Sequence, residues 1–465
     1  MRKKNSPPPK EARPKKRLNL ELTANPRLAA FRVLAEAAQG RTPEESLVAH
    51  GRLLSPRDLG LATALVYEVL RHKAYLERLA KDRLSSGRAG EELMIVLSLG
   101  LAQLFYFDRL GEHAAVSESV ALAKTVLPGR QGLVNAILRG FLRDRDAGKP
   151  WPPQLPPEKD PAAHLALKHS YQNWFVRRLL KSFPPAEAEE ILAAGNRPTP
   201  PTLRLNPLKG SREELAAALP FDSQPTALSP WGLKAASFSG RPEDWPGFAE
   251  GLFAVQDEAS QLLGLIVGEL PEGAAVLDVC AGLGGKALHL AALNPRAAIV
   301  AQDKDEAKLE LLRNEARRLA CPNVRTEEAD ILLSPPPADS FDLVLVDAPC
   351  SGLGVMRRRP DLKWNKREED LARLAGLQLK LLTAASAAVR PGGRLIYGVC
   401  SFSPEEGPGV AGEFLKARPD FASLAPDQWP EILGPLVDEN GGLTLWPHRH
   451  DTDGFFWAVF TRRPL

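Results

Sequence analysis

The chain has 465 residues, which at roughly 150 residues per domain predicts about three domains. Hydrophobic residues make up 44% and charged ones 25%, a globular balance that excludes a mostly disordered or fibrous chain. The net charge is only +3, from 60 Lys/Arg and 57 Asp/Glu, but its distribution is lopsided.

Residues 1–17 hold eight Lys/Arg against one Glu, so residues 1–24 are expected to form a disordered, proline-rich basic arm suited to a polyanion such as nucleic acid. From 25 to 148 apolar residues recur at helical spacing, as in Leu28, Phe31, Val33 and Leu34, and again in Leu65, Val66, Val69 and Leu70. This predicts an all-α domain, with Ser55-Pro56 marking one helix start. The uncharged apolar run 93–107 is too short for the ~20 residues that span a bilayer, and reads as a buried core helix. A proline-rich linker over 149–162 and a helical and mixed α/β region over 163–255 follow.

Residues 256–465 change character. Predicted strands at 275–279, 298–302, 324–327, 341–346 and 393–399 alternate with helical segments at 286–292, 308–319 and 368–389. That alternation implies an α/β fold with a doubly wound, mostly parallel sheet, which binds ligands beyond the carboxyl ends of its strands. The four cysteines form no CxxC pair, so neither a disulfide framework nor a zinc site is expected, and a reducing cytoplasm fits. Cys280 and Cys321 read as small buried hydrophobes.

The first strand of this region runs into Cys280-Ala281-Gly282-Leu283-Gly284-Gly285-Lys286, a glycine-rich turn before a helix. It is not a phosphate-binding P-loop, because Ala287 replaces the required Ser/Thr. Asp278, Asp303 and Asp330 close successive strands, and a carboxylate 25 residues beyond Asp278 is placed for the hydroxyls of an adenosine ribose. Adenosine without pyrophosphate points to S-adenosylmethionine rather than a dinucleotide. The fourth strand leads into Asp347-Ala348-Pro349-Cys350 and the fifth into Cys400, so two thiols are expected at one rim of the sheet. Thiols suit methylation at C5 of cytosine: a thiolate adding at C6 makes C5 nucleophilic, and an acid at N3, here Asp347, stabilises the adduct.

These residues resemble the Sun-type (RsmB) family of 16S rRNA cytosine-C5 methyltransferases. Ser55-Pro56-Arg57-Asp58 and Val134-Asn135-Ala136-Ile137-Leu138-Arg139 resemble its NusB-like RNA-binding domain. Leu203-Arg204-Leu205-Asn206-Pro207, Gln256-Asp257-Glu258-Ala259-Ser260, Arg359-Pro360-Asp361-Leu362-Lys363-Trp364 and Asp453-Gly454-Phe455-Phe456 resemble its later motifs. The resemblance implies that Cys400 is the nucleophile and Cys350 the product-release residue, with Asp347 and Lys286 beside them. It also implies that residues 280–286, Lys308 and Asp347 hold the cofactor, with Asp303 and Asp330 on its adenosine. The chain departs from the family at Gly282-Leu283, where Ala-Pro is usual, and at Gly398-Val399, where Ser-Thr is usual.

A base in a duplex hides its C5/C6 face, so the target must be unpaired or flipped out. Arg357, Arg358, Arg359, Lys363 and Trp364 are expected to bind the RNA by phosphate contact and stacking. The expected partner is 16S rRNA or an assembling small subunit, bound by a monomer without metal or membrane. A tRNA cytosine-C5 methyltransferase, a catalytically silent RNA-binding assembly factor and a dinucleotide oxidoreductase are the competing readings.

Overall fold

The computed structural model describes residues 24–84, 89–155, 158–236 and 240–464, so all but the last residue of the predicted basic arm lies outside the described residues. Asn25 starts the first helix: its side chain accepts the backbone N–H groups of Arg27 and Leu28, and Pro26 occupies the first turn. Ser55 caps the third helix by accepting from Asp58. Helices α1 (Pro26–Ala37), α2 (Pro43–His50), α3 (Pro56–Arg71), α4 (Lys73–Asp82), α5 (Glu91–Tyr106), α6 (Glu112–Val126) and α7 (Gln131–Asp146) share one apolar core. Helix α5 is its axis, touched by α1, α3, α4, α6 and α7. Leu97, Leu99 and Leu101 point in different directions around it and all are fully buried, which explains why its sequence lacks a polar stripe. Among the described residues, no helix is long and apolar enough to cross a membrane.

Helices α8 (Pro161–His169), α9 (Asn173–Ser182) and α10 (Pro185–Ala194) lead into a small antiparallel sheet. Its strands β1 (Thr202–Leu205), β2 (Ser223–Pro225), β3 (Gly232–Ala235) and β4 (Phe253–Val255) lie in the order β2-β3-β1-β4, with α11 (Arg212–Ala218) after β1. Helix α12 (Glu258–Val267), capped by Asp257, then opens the large α/β unit.

That unit is built on β5 (Ala275–Asp278), β6 (Ala298–Asp303), β7 (Val324–Glu328), β8 (Phe341–Asp347) and β9 (Val389–Val399), parallel and in the spatial order β7-β6-β5-β8-β9. Helices α13 (Gly285–Leu293) and α14 (Glu306–Arg318) join α12 on one face. After the single turn α15 (Leu362–Asn365), α16 (Glu368–Ser386) and α17 (Val410–Ala417) cover the other. Strands β10 (Phe421–Ser423), β11 (Gly442–Leu445) and β12 (Phe455–Arg462) add an antiparallel edge, with β12 paired to β9. The doubly wound, mostly parallel sheet is the one predicted. The order reverses at β5, from which one path runs to β6 and the other to β8, and the crevice opens at that switch point.

The structure corrects the expected RNA-binding cluster. The Arg357 side chain is only 3% exposed. Its Nε donates to Asp453 Oδ1 at 2.6 Å, and Arg358 donates to Asp453 at 2.9 Å and Asp257 at 2.7 Å. Arg359 pairs with Asp361 and Glu44. Lys363 is buried, donating to the Arg71 carbonyl at 3.2 Å and lying 3.7 Å over the Tyr171 ring, while Trp364 Nε1 donates to the Leu70 carbonyl at 2.7 Å. Arg357 and Arg358 are thus tied to Asp257 and Asp453 beside the sheets, while Arg359, Lys363 and Trp364 reach the helical domain at Glu44, Arg71 and Leu70. The carboxylates that claim the two guanidinium groups lie about a hundred positions away on either side, out of sight of any local pattern.

Removing Arg357 leaves two nearly buried carboxylates served by one guanidinium. Arg357→Ala is expected to cost about 3–5 kcal/mol of stability, read from the denaturant midpoint. Adding Asp453→Asn should recover part of that loss by rebalancing the charge.

Candidate active site

The loop after β5 is shaped by backbone need. Gly282 and Gly284 have φ of 55° and 83°, in the left-handed region, and a Cβ on Gly284 would lie 2.4 Å from Leu312 Cγ. The loop lies across the end of β6, with Ala281 N–H donating to the Gln302 carbonyl at 2.9 Å. Gly282 N–H donates to Asp303 Oδ2 at 2.8 Å, and Asp305 N–H to Oδ1 at 3.0 Å. Asp303 is thereby oriented while keeping acceptor positions free. Leu283 is exposed, and the Gly285 carbonyl accepts from Arg204 Nη1 at 2.5 Å.

A cleft of about 370 Å³ opens beyond these strand ends. Cys280, Gly282, Asp303, Lys308 and Asp330 line one side of it; Asp347, Cys350 and Cys400 line the other. Beneath it Asp278 is fully buried with no well-formed hydrogen bond to either carboxylate oxygen. Burial, and then the nearby charge of Asp347, push its pKa up to about 7. Burial also pushes up the Cys280 thiol, with the surrounding carboxylates adding to it.

Lys286 reaches from the first turn of α13 to Asp347, with Nζ 2.5 Å from Oδ2, and lies 5.1 Å over the ring of Phe455. Burial works against its charge, yet the attraction and hydrogen bond of Asp347, with help from Cys400, outweigh it and raise the pKa. Lys286 is therefore an ammonium.

Strands β8 and β9 are in register up to Asp347 and Gly398, and Ala348 N–H donates to the Gly398 carbonyl at 2.9 Å. The chain beyond each strand carries its cysteine to the same rim, where Cys350 Sγ and Cys400 Sγ are 3.2 Å apart. The hydrogen bond to Cys400, followed by burial, raises the Cys350 pKa well above that of an ordinary thiol. Either sulfur can donate to the other at this distance. Main-chain crossing also holds Cys400: Gly354 N–H donates to its carbonyl at 3.1 Å, and Gly454 N–H donates to the Gly354 carbonyl at 2.8 Å. A Cβ on Gly354 would fall 1.8 Å from the Gly454 oxygen, so only glycine fits.

The sequence alone gives Arg204 no task. It is buried, bonds Gln256 Oε1 at 2.6 Å, and ties the small sheet to the turn that bears Lys286. The exposed-looking Leu-Arg-Leu alternation hides this, because β1 is buried along its whole length.

The raised pKa of Asp278 sets a stability expectation. The protonated form is favoured by the fold, so the contribution is full below about pH 4 and is lost as the pH rises through about 7. Thermal unfolding of the ligand-free protein should therefore lose stability across that window, by at most about 4 kcal/mol from this group. Asp278→Asn should flatten the profile, whereas an unchanged profile would show that the carboxyl is not desolvated.

Comparison with known proteins agrees with this architecture. Residues 266–461 match the family described as 16S rRNA methyltransferase RsmB/F, residues 24–143 the NusB family, and residues 171–236 an RsmF/B-like ferredoxin-like domain. The chain is 36% identical over 417 residues to a probable ribosomal RNA small subunit methyltransferase B of Synechocystis sp., covering 87% of this chain and 91% of the relative. It is 32% identical over 447 residues to the ribosomal RNA small subunit methyltransferase B of Vibrio cholerae, covering 94% and 98%. Among solved structures, that of PH0851 aligns with a TM-score of 0.75 at 23% identity over 94% of this chain and 99% of that one, a likeness of fold. A methyltransferase homolog protein from Pyrococcus horikoshii aligns with a TM-score of 0.53 at 26% identity, over 66% of this chain and all of the other. The NusB-type helical domain, the Rossmann-like methyltransferase domain and the full-length likeness together make the chain a member of the ribosomal RNA small subunit methyltransferase B family.

Proposed function

We propose that this chain transfers a methyl group from S-adenosylmethionine to C5 of a cytosine in 16S rRNA, through a covalent bond between Cys400 and C6. The observation that carries the reading is the pair of thiols 3.2 Å apart at the cleft, beside the Lys286–Asp347 pair. Methylation of an amino group would need no thiol.

The cleft suits the cofactor: Asp303 keeps acceptor capacity for ribose hydroxyls, and Asp330 lines the same cleft. When bound, the cofactor supplies the methyl group. Cys400 gives its proton to water at the open cleft and attacks as the thiolate, with the Cys350 sulfur 3.2 Å away. That thiolate forms the bond to C6, and the electrons of the C5–C6 double bond move into the ring towards N3. N3 takes up a proton as these electrons reach it: the proton comes from the Lys286 ammonium through Asp347, which contacts N3, and returns along the same path when the ring is restored. Once C5 carries the methyl group, its proton leaves to a water that Cys350 orders. The Cys400–C6 bond then breaks and the aromatic ring is restored.

With residues 357–364 committed to internal contacts, the helical domain and the basic arm are the elements of this reading that grip RNA. It places the protein in the cytoplasm, acting on rRNA or an assembling small subunit.

The test is a denaturing gel after incubation with unmethylated small-subunit rRNA and S-adenosylmethionine. Cys350→Ala should accumulate a denaturant-stable protein–RNA adduct, and Cys400→Ala should form none. Asp347→Asn should slow methyl transfer by about 10²–10⁴-fold with the adduct still detectable. The reverse cysteine pattern would swap the two roles. Absence of adduct, methyl incorporation and cofactor binding together would overturn the reading in favour of a silent RNA-binding factor.

A further inference from the structure

Six positions beyond Cys400, the side chain of Glu406 is completely buried and gathers both thiol-bearing turns. Its Oε1 accepts the backbone N–H of Ser351 at 2.7 Å and the Gln378 amide at 3.1 Å. Its Oε2 accepts the hydroxyls of Ser351 at 2.5 Å and Ser401 at 2.8 Å. Four donors fill the lone-pair positions of one carboxylate. Ser351 directly follows Cys350, and Ser401 directly follows Cys400.

The arrangement is reciprocal. Each serine hydroxyl, having donated to Glu406, accepts a backbone amide of its own turn: Ser403 N–H reaches Ser401 Oγ at 3.1 Å and Leu353 N–H reaches Ser351 Oγ at 3.4 Å. The two hydroxyls stand 3.2 Å apart, the same separation as the two sulfurs one residue earlier. Glu406 lies in a π-helical turn, Glu405–Gly409, and its own carbonyl accepts the buried Tyr397 hydroxyl at 2.5 Å. A buried carboxylate is a poor choice for stability alone, since apolar groups of similar volume often serve a fold as well. A saturated one is a good choice for holding two backbones at a set distance.

We propose that Glu406 is a positioning residue that sets the spacing of Cys350 and Cys400 by clamping the serine that follows each. The inference rests on the two-thiol reading above for its catalytic meaning, because the sulfurs there act on adjacent ring carbons of one base. A misplacement of about 1 Å in such a pair costs on the order of 10²-fold in rate. In Glu406→Gln the amide keeps the shape, but its NH₂ faces donors, so one serine loses its anchor.

The test uses the full-length protein and two independent variants, Glu406→Gln and the double change Ser351→Ala/Ser401→Ala. First, diamide oxidises the neighbouring thiols: two electrons and two protons pass to the diazene, a Cys350–Cys400 disulfide forms, and its rate is followed by peptide mass spectrometry. Second, adduct formation with small-subunit rRNA is timed in the Cys350→Ala background. Both variants should slow disulfide closure and adduct formation about tenfold or more, with S-adenosylmethionine affinity within about twofold of wild type. Wild-type closure rates in either folded variant would overturn the proposal. Slowed closure in both variants, with no adduct from the parent Cys350→Ala protein, would keep the clamp and overturn the C5 reading instead.

Discussion

Parallel pairing of β8 with β9 governs where every reacting group stands. Adjacent parallel strands end level with each other, so whatever follows them emerges side by side over the crevice at the switch point. Asp347, the last residue of β8, then stands beside β5 and Lys286, while the two cysteines meet one turn further out. Slipping either strand by one residue would turn alternate side chains to the opposite face and part the thiols. Tight backbone contact between Gly354 and Gly454 makes such a slip harder still, since it stitches the start of β12 to the turns that carry both sulfurs.

The electrostatics of the cleft follow from the same convergence. Asp278, Asp303 and Asp347 close three neighbouring strands, and Lys286 is the ammonium set among them. One carboxyl is bound by a cation, one by backbone amides, and one is left unsatisfied beneath the floor. Three acids held by three different means can respond separately to whatever enters. Burial raises the pKa of Asp278, the deepest of them.

Much of this was legible in the sequence. Strand and helix alternation located the sheet, and the acids and thiols at strand ends were found because period and turn chemistry are local signals. The arginine run was misread for the complementary reason. Three consecutive guanidinium groups look like a polyanion site until Asp257 and Asp453 are brought to them by folding, and no local rule reports a partner about a hundred residues away. Lys363 and Trp364 likewise read as an exposed cation and a stacking ring, yet they enter the junction with the helical domain. Arg204 and Glu406 went unassigned because burial, which gives each its task, is not printed in a polar letter.

That junction has a mechanical consequence. The helical domain is joined to the sheet domain by buried donors that bite on main-chain carbonyls: Arg71 on Arg357, Lys363 on Arg71, and Trp364 on Leu70. Such a joint behaves as a weld and not as a hinge. The distance from the helical domain to the cleft is thus set by the fold itself.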